Sequence, residues 1–305
     1  MRRGALLPPL LILLMLAGCA GHRPRPIAPP ASAEGKPTTA NPTVVATGPV
    51  DDTSLPQDSR YGRTRDGGPV KPPSYIATLS EPVPVPEPRS RYGNKSPYVV
   101  RGKTYRVLKS AKGYDQRGIA SWYGSKFHGY MTSNFEKYDM YKFSAASKVL
   151  PLPTWARVTN LENGKSVIVR VNDRGPFVSN RIIDLSYAAA VRIGIWPKGT
   201  GLVEVQAIDP EHPQELPKPH AVESAGAHPG IWLQVGAFGD PENAERVASR
   251  LRAAGLGPVQ ITRLDVQGRD VRRVRLGPLK SVSAADRLSR RVTALGLPTP
   301  QVAVD

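Results

Sequence analysis

The chain of 305 residues has a single cysteine, Cys19, so an internal disulfide, a four-thiolate zinc site and a redox cysteine pair are all excluded. It also lacks a long apolar run. The greasiest stretch, residues 5–16, is broken by Pro8 and Pro9 and is shorter than the ~20 residues a membrane-crossing helix needs. Acidic side chains are scarce, 25 against 42 Lys and Arg, and the net charge of +17 points to an anionic partner: nucleic acid, a lipid surface or an acidic polymer. Proline and glycine, by contrast, are abundant at 32 and 28. Sixteen of the prolines lie between residues 21 and 100, which predicts two modest folded modules rather than one large core.

Arg2 and Arg3 precede the apolar stretch, and Leu16-Ala17-Gly18-Cys19 follows it. A basic segment, a short greasy segment and small residues before a thiol resemble a bacterial lipoprotein box. The resemblance implies a signal peptide over 1–18 and lipidation of Cys19, which becomes the mature N-terminus. Ala20 stands where aspartate would imply inner-membrane retention, so an outer-membrane lipoprotein facing the periplasm is expected. Acyl chains buried at about 0.8 kcal/mol per methylene would hold it there. Export removes nucleic acid as a partner.

Residues 19–94 are Pro, Ser, Thr, Gly and charge with isolated apolar residues. Such a composition buries too little surface to offset chain entropy, so a disordered tether is expected. A second Pro-rich break over 210–229 predicts a linker between modules at 95–209 and 230–305.

In the first module most apolar runs are short and β-branched: 98–100, 119–123, 156–159, 166–171, 181–185 and 202–208. Asn163-Gly164 favours the tight turn of a hairpin. In its second arm Val167, Val169 and Val171 share one face, and Ile168, Arg170 and Asn172 the other. One helix is expected, opening at Ser186 and ending at Gly194. Many short strands and a single helix predict a small barrel.

The strings Gly118-Ile-Ala-Ser-Trp-Tyr-Gly124, Phe127-His-Gly129, Glu136-Lys-Tyr-Asp-Met140, Ala145-Ala-Ser-Lys-Val-Leu-Pro151, Val171-Asn-Asp-Arg-Gly-Pro-Phe177 and Arg181-Ile-Ile-Asp-Leu-Ser186 closely resemble the rare lipoprotein A family of septal-ring lytic transglycosylases. The resemblance implies a double-psi β-barrel that cleaves peptidoglycan glycan strands without water, leaving 1,6-anhydro-muramic ends, during septal wall processing and daughter-cell separation. That reaction needs a carboxylic acid to protonate the glycosidic oxygen and a base to take the proton of the sugar's own C6 hydroxyl, and one group can do both in turn. Asp173, where a strand runs into Arg174-Gly175-Pro176, is the expected acid and base, with a pKa raised by burial or by a nearby carboxylate. The resemblance makes Glu136 that neighbour. Ser147 stands where the family carries histidine, a possible third position of the site, and serine can neither exchange protons near neutrality nor carry positive charge. That departure keeps open a second reading, a septal lipoprotein that binds peptidoglycan without cutting it. Phe135 replaces a common glycine and is expected to crowd the cleft. His128 is expected to pack or orient the Trp122-Tyr123 region, and the other aromatic residues to serve mainly as core.

The second module alternates strands and helices: a strand at 231–238, a helix from Asp240 with Pro241 in its first position to Gly255, strands at 259–264 and 271–276, a helix with Ser283 and Asp286 as its capping box, and a last strand at 301–304. This is a ferredoxin-like α+β order. Gln234-Val-Gly-Ala-Phe238 and Arg273-Val-Arg-Leu-Gly-Pro278 resemble the SPOR domain, which implies binding of glycan strands stripped of stem peptides through Gln234, Phe238 and Arg275. The expected partners are therefore denuded peptidoglycan, the outer membrane through the lipid anchor, and division-site proteins. No metal or organic cofactor is indicated.

Overall fold

The computed structural model describes residues 51–55, 57–178, 180–213, 215–216 and 230–304. The expected signal peptide and Cys19 lie outside these residues. A single helical turn, α1 (Gln57–Arg60), is followed by a 3-10 turn at Ser74–Ala77 and a small hairpin of β1 (Tyr98–Val100) and β2 (Lys103–Tyr105). Six strands then close into a barrel in the order β3-β7-β4-β6-β5-β8: β3 (Asp115–Tyr123), β4 (Ser144–Ser147), β5 (Thr154–Asn160), β6 (Ser166–Asp173), β7 (Arg181–Ser186) and β8 (Thr200–Ala207). β3 runs parallel to β7 and β4 parallel to β6, and the remaining neighbours are antiparallel. The expected small barrel is thus present, with α2 (Tyr187–Arg192) as its single helix, capped by the Ser186 hydroxyl.

The hairpin at Asn163-Gly164 joins β5 to β6 as expected, Gly164 taking the left-handed φ of 71° that its turn requires. Val167, Val169 and Val171 of β6 are fully buried inside the barrel together with Val158, Ile183, Leu185, Val203 and Val205. β4 was not legible from pattern. Ser-Ala-Ala-Ser carries neither β-branched nor large side chains, and all four residues are buried because the barrel wall there has room only for small ones.

The second module is a four-stranded antiparallel sheet, β10-β11-β9-β12, of β9 (Ile231–Phe238), β10 (Val259–Val266), β11 (Arg269–Leu279) and β12 (Gln301–Val304), with α3 (Pro241–Ala253) and α4 (Val282–Ala294) packed on it. Leu233, Val235, Val274 and Leu276 meet the helices' Ala244, Ala248, Leu251, Ala285 and Val292 in one core. One detail differs. The cap of α4 is Ser281, whose hydroxyl accepts from the Ala284 amide at 3.2 Å, and Asp286 instead forms a bidentate ion pair with Arg181 of β7 at 3.0 and 2.8 Å.

The larger correction concerns the tether. Residues 57–94, read from composition as disordered, lie against the barrel. Ile76 is fully buried, Trp155 Nε1 donates to the Val85 carbonyl at 2.9 Å, and Arg170 holds Glu87 through Nε and Nη2 at 2.8 and 2.6 Å. The segment has no core of its own. It is ordered by single anchors set into a surface that is already folded, and composition averaged over a window does not register those.

Candidate active site

β6 delivers Asp173 to the barrel rim. By the two-residue period of a strand, Asp173 continues the inward valine face of Val169 and Val171. It therefore lies at the floor of a cleft of about 230 Å³ lined by Arg60, Tyr61, Tyr123, Ser133, Asp173 and Asp184, among others. Three donors converge on one of its oxygens: Ser133 N at 2.8 Å, Ser133 Oγ at 2.6 Å and Arg174 N at 2.7 Å, all to Oδ1. None of the three reaches Oδ2. Burial pushes the Asp173 pKa up, and these hydrogen bonds and the Arg174 charge hold it back only in part.

Arg174 is not the surface ion-pair partner that an Asn-Asp-Arg-Gly string suggests. Its guanidinium is buried under carbonyls, with Nε on Gly93 O at 2.6 Å and Nη1 on Ser147 O at 2.9 Å and Leu150 O at 2.5 Å. Burial lowers its pKa to about 10. The side chain ties three backbone segments together at the base of the cleft.

The second carboxylate of the cleft is Asp184 of β7, which sequence reasoning missed. Asp184 interrupts the buried run Ile183, Leu185 and Ser186, and a lone carboxylate in a mostly apolar strand is the signal that could have found it. It accepts a hydrogen bond from Ser121 Oγ on the neighbouring strand β3. Burial pushes its pKa up to about 6, against the opposing pull of Ser121, Arg181 and Lys148. Gly175 takes a φ of 150° that only glycine adopts readily, and a Cβ there would stand in ordinary contact with Asp184 Oδ2, 3.7 Å away.

Tyr123, at the end of β3, also lines the cleft. Its ring stacks on Tyr138 at 4.1 Å, and its hydroxyl is buried without a hydrogen-bond partner. Burial first, and then the Asp173 charge, raise its pKa well above the ordinary value, so it remains a donor.

Glu136 is not the neighbour that the sequence suggested. The loop around the Met131–Lys137 bridge straddles the end of β6. Ser133 reaches Asp173 on one side, while the Glu136 carboxylate accepts from Arg170 Nη1 at 2.6 Å and Asn172 Nδ2 at 2.8 Å on the opposite face of the strand. Glu136 lines a separate groove of about 670 Å³ with Leu79, Pro82, Phe143, Trp155 and Arg170. Its side chain is 42% exposed; desolvation raises its pKa, but the bonds from Arg170 and Asn172 outweigh it and leave the pKa below the usual carboxylate value.

Ser147 does not line the cleft either. Its hydroxyl accepts from the Val149 and Leu150 amides at 3.3 and 3.2 Å, which closes the turn after β4, while its neighbour Ala146 faces the cavity. Phe135 sits at a φ of 66°, where glycine is at ease, and packs on Tyr92 with ring centroids 4.4 Å apart instead of crowding the cleft. His128 accepts from Met140 N at 3.2 Å and packs edge-on to Tyr141, not on Trp122. Among the described residues no group of His, Cys, Asp and Glu could hold a metal ion.

On the second module Gln234 and Arg275 are cross-strand partners on β9 and β11, on the sheet face opposite the helices. The Arg275 guanidinium lies over the Trp232 ring at 5.6 Å, and the Phe238 ring covers Gly236, where a Cβ would come within 2.6 Å of it. The three expected glycan-binding residues thus share one strand pair.

Residues 115–207 match the family described as Lytic transglycolase, and residues 227–302 the SPOR domain. The chain is 40% identical over 278 residues to the endolytic peptidoglycan transglycosylase RlpA of Pseudomonas aeruginosa PAO1, covering 73% of this chain and 81% of that protein. It is 49% identical over 166 residues to the RlpA of Vibrio cholerae, covering 54% of this chain and 62% of that one. The crystal structure of the RlpA SPOR domain from Pseudomonas aeruginosa aligns at 32% identity and a TM-score of 0.24, covering 24% of this chain and 97% of that one.

Proposed function

The chain belongs to the RlpA family of endolytic peptidoglycan transglycosylases, and on that premise we propose that it cleaves glycan strands by proton transfer through Asp173. It is a lytic transglycosylase that associates with the cell wall, and its SPOR domain implies peptidoglycan binding. The observation that carries the catalytic reading is the lopsided environment of Asp173: three donors fix Oδ1, and burial favours the protonated acid. Oδ2 is then the oxygen that meets substrate.

In this reading protonated Asp173 gives its proton to the bridging glycosidic oxygen as the bond from that oxygen to C1 of muramic acid breaks. The resulting carboxylate takes the proton of the C6 hydroxyl as O6 bonds to C1. No water is consumed, and Asp173 ends protonated as it began. Asp184, across the cleft, opposes the positive charge that develops on the ring. Glu136, ionised in the separate groove on the other face of β6, binds the strand at a distance from the scissile bond. Cleavage in isotopically labelled water tests the scheme. Anhydro ends without label are expected, whereas labelled reducing ends would mean hydrolysis.

Gln234, Phe238 and Arg275 hold strands lacking stem peptides, and Cys19 carries the lipid that anchors the protein to the outer membrane on its periplasmic side, concentrated at the septum. Two modules on one polymer raise each other's effective concentration, so neither must bind tightly. Sucrose-gradient fractionation of cells carrying Cys19→Ala tests the anchor: the variant should leave the outer-membrane fraction.

A further inference from the structure

A segment that the barrel does not need for its own closure forms one side of the cleft. Asp51 Oδ2 accepts from Met131 N at 2.5 Å, and Arg60 Nη2 donates to Met131 O at 2.9 Å. Asp51 and Arg60 also pair with each other, Nε to Oδ1 and Nη2 to Oδ2, both at 2.5 Å. The clasp is largely out of water, its side chains 9% and 15% exposed. Further along, Gly62 N donates to Tyr130 Oη at 3.0 Å, and Asp66 accepts from Gly124 N at 2.9 Å and Lys126 N at 3.0 Å. The Gly67 carbonyl takes the Ser125 amide at 2.7 Å, and the Pro69 carbonyl takes the Tyr187 hydroxyl at 2.9 Å.

The fit is steric as well as polar. A Cβ on Gly124 would lie 2.1 Å from the Gly67 carbonyl oxygen, and one on Gly68 would lie 2.7 Å from the Tyr187 ring. Barrel and segment are therefore shaped to each other at glycines on both sides, which a passing linker would not require.

What this segment brings to the cleft is Arg60 and Tyr61. The Tyr61 ring is held edge-on between Phe127 and Tyr130, with centroids 4.7 and 5.0 Å away. Lys126 Nζ lies 5.9 Å from the Tyr61 centroid, and Arg101, at the tip of the β1–β2 hairpin, faces the same space. Arg60 shares its charge with Asp51, and Lys126 stands at the mouth beside the Tyr61 ring.

We propose that residues 57–69, clasped through Asp51, are a working wall of the catalytic cleft, in which Tyr61 and the Lys126 ammonium beside it form a subsite for an acidic sugar next to Asp173. The identity of that sugar rests on the glycan-cleaving reading. Muramic acid without its stem peptide carries a free lactyl carboxylate on the ring that holds the scissile bond, whereas N-acetylglucosamine is neutral. An aromatic face with an ammonium at its rim suits the first and gives no advantage to the second.

Hydrogen exchange read by mass spectrometry on full-length protein carrying Asp173→Asn tests this locally, because the SPOR sheet reports separately. A peptide-free tetrasaccharide of alternating N-acetylglucosamine and N-acetylmuramic acid should slow exchange across 57–69 and 123–127. Its carboxyl-reduced counterpart should need about tenfold more to do the same, and Tyr61→Ala should weaken the acidic form by about tenfold. Protection confined to 231–238 and 269–279, equal response to both sugars, or an unaffected Tyr61→Ala would each overturn the proposal. Asp51→Ala with Asp66→Ala, neither of which lines the cleft, should release 57–69 to fast exchange while barrel strands stay protected; a segment that remains protected would contradict the clasp. Assaying the native protein in parallel separates the two readings: cleavage without protection at 57–69 sinks only this inference, and protection without cleavage sinks only the catalytic one.

Discussion

Ser133 offers both its amide and its hydroxyl to the same oxygen of Asp173, Oδ1, at 2.8 and 2.6 Å. Both bonds favour the carboxylate, and burial works against them and prevails. Ser133→Ala removes one of the two. The Asp173 pKa should then rise further, and because activity at high pH fails when the acid loses its proton, the alkaline limb of the pH–rate profile should move up by about one unit. A limb that stays in place would mean that Asp173 does not set it.

Asp184 should leave its mark on stability. Its folded pKa is about 6, above the ordinary carboxylate value of 3.8. A raised acid binds its proton more tightly when folded, so its contribution is intact below the unfolded pKa and is lost as pH climbs through the folded one. Between about pH 4 and 7 the native protein should lose up to about 3 kcal/mol that Asp184→Asn does not lose. Melting curves of the two proteins across that range should therefore diverge as pH rises. Parallel curves would show that the group is not perturbed.

Tyr123→Phe separates a working hydroxyl from a core one. The hydroxyl is buried out of reach of the cleft, so its removal relieves a desolvated group. Melting temperature should hold or rise while turnover stays within about twofold of native. A tenfold fall in turnover would assign the hydroxyl to the site.

Much of this architecture could be read before any coordinates. Asn163-Gly164 marked a hairpin, the valine alternation of 167–171 marked an inward face, and Pro241 marked the start of a helix, because turn chemistry and period are local properties. The place of Asp173 at the end of an apolar strand face followed from the same logic, and its candidacy as the acid from the family resemblance. What stayed hidden depends on long-range closure. β4 is a strand because the barrel surrounds it. Asp184 shares the cleft with Asp173 only when β7 lies between β3 and β4. Glu136 sits three residues beyond Ser133 in sequence, yet on the far side of β6. Residues 57–94 are ordered by anchors such as Ile76 and Asp66, each of which reads as a stray residue in a Pro-rich stretch.

Glu136 keeps its charge through Arg170 and Asn172, so it supplies no proton to the leaving oxygen. Glu136→Gln should raise KM for peptide-free strands severalfold and leave the alkaline limb of the profile where it was, as expected for a binding carboxylate. A displaced limb would return Glu136 to the acid–base machinery.

The most direct measurement is the rate at which the full-length protein releases anhydro-muramic ends from peptide-free glycan, native against Asp173→Asn. The substitution keeps the shape of the side chain and the acceptor for Ser133, so the fold should persist with its melting temperature within a few degrees. Product release should fall at least a hundredfold. A folded Asp173→Asn protein that cleaves within tenfold of the native rate would contradict proton transfer through this residue.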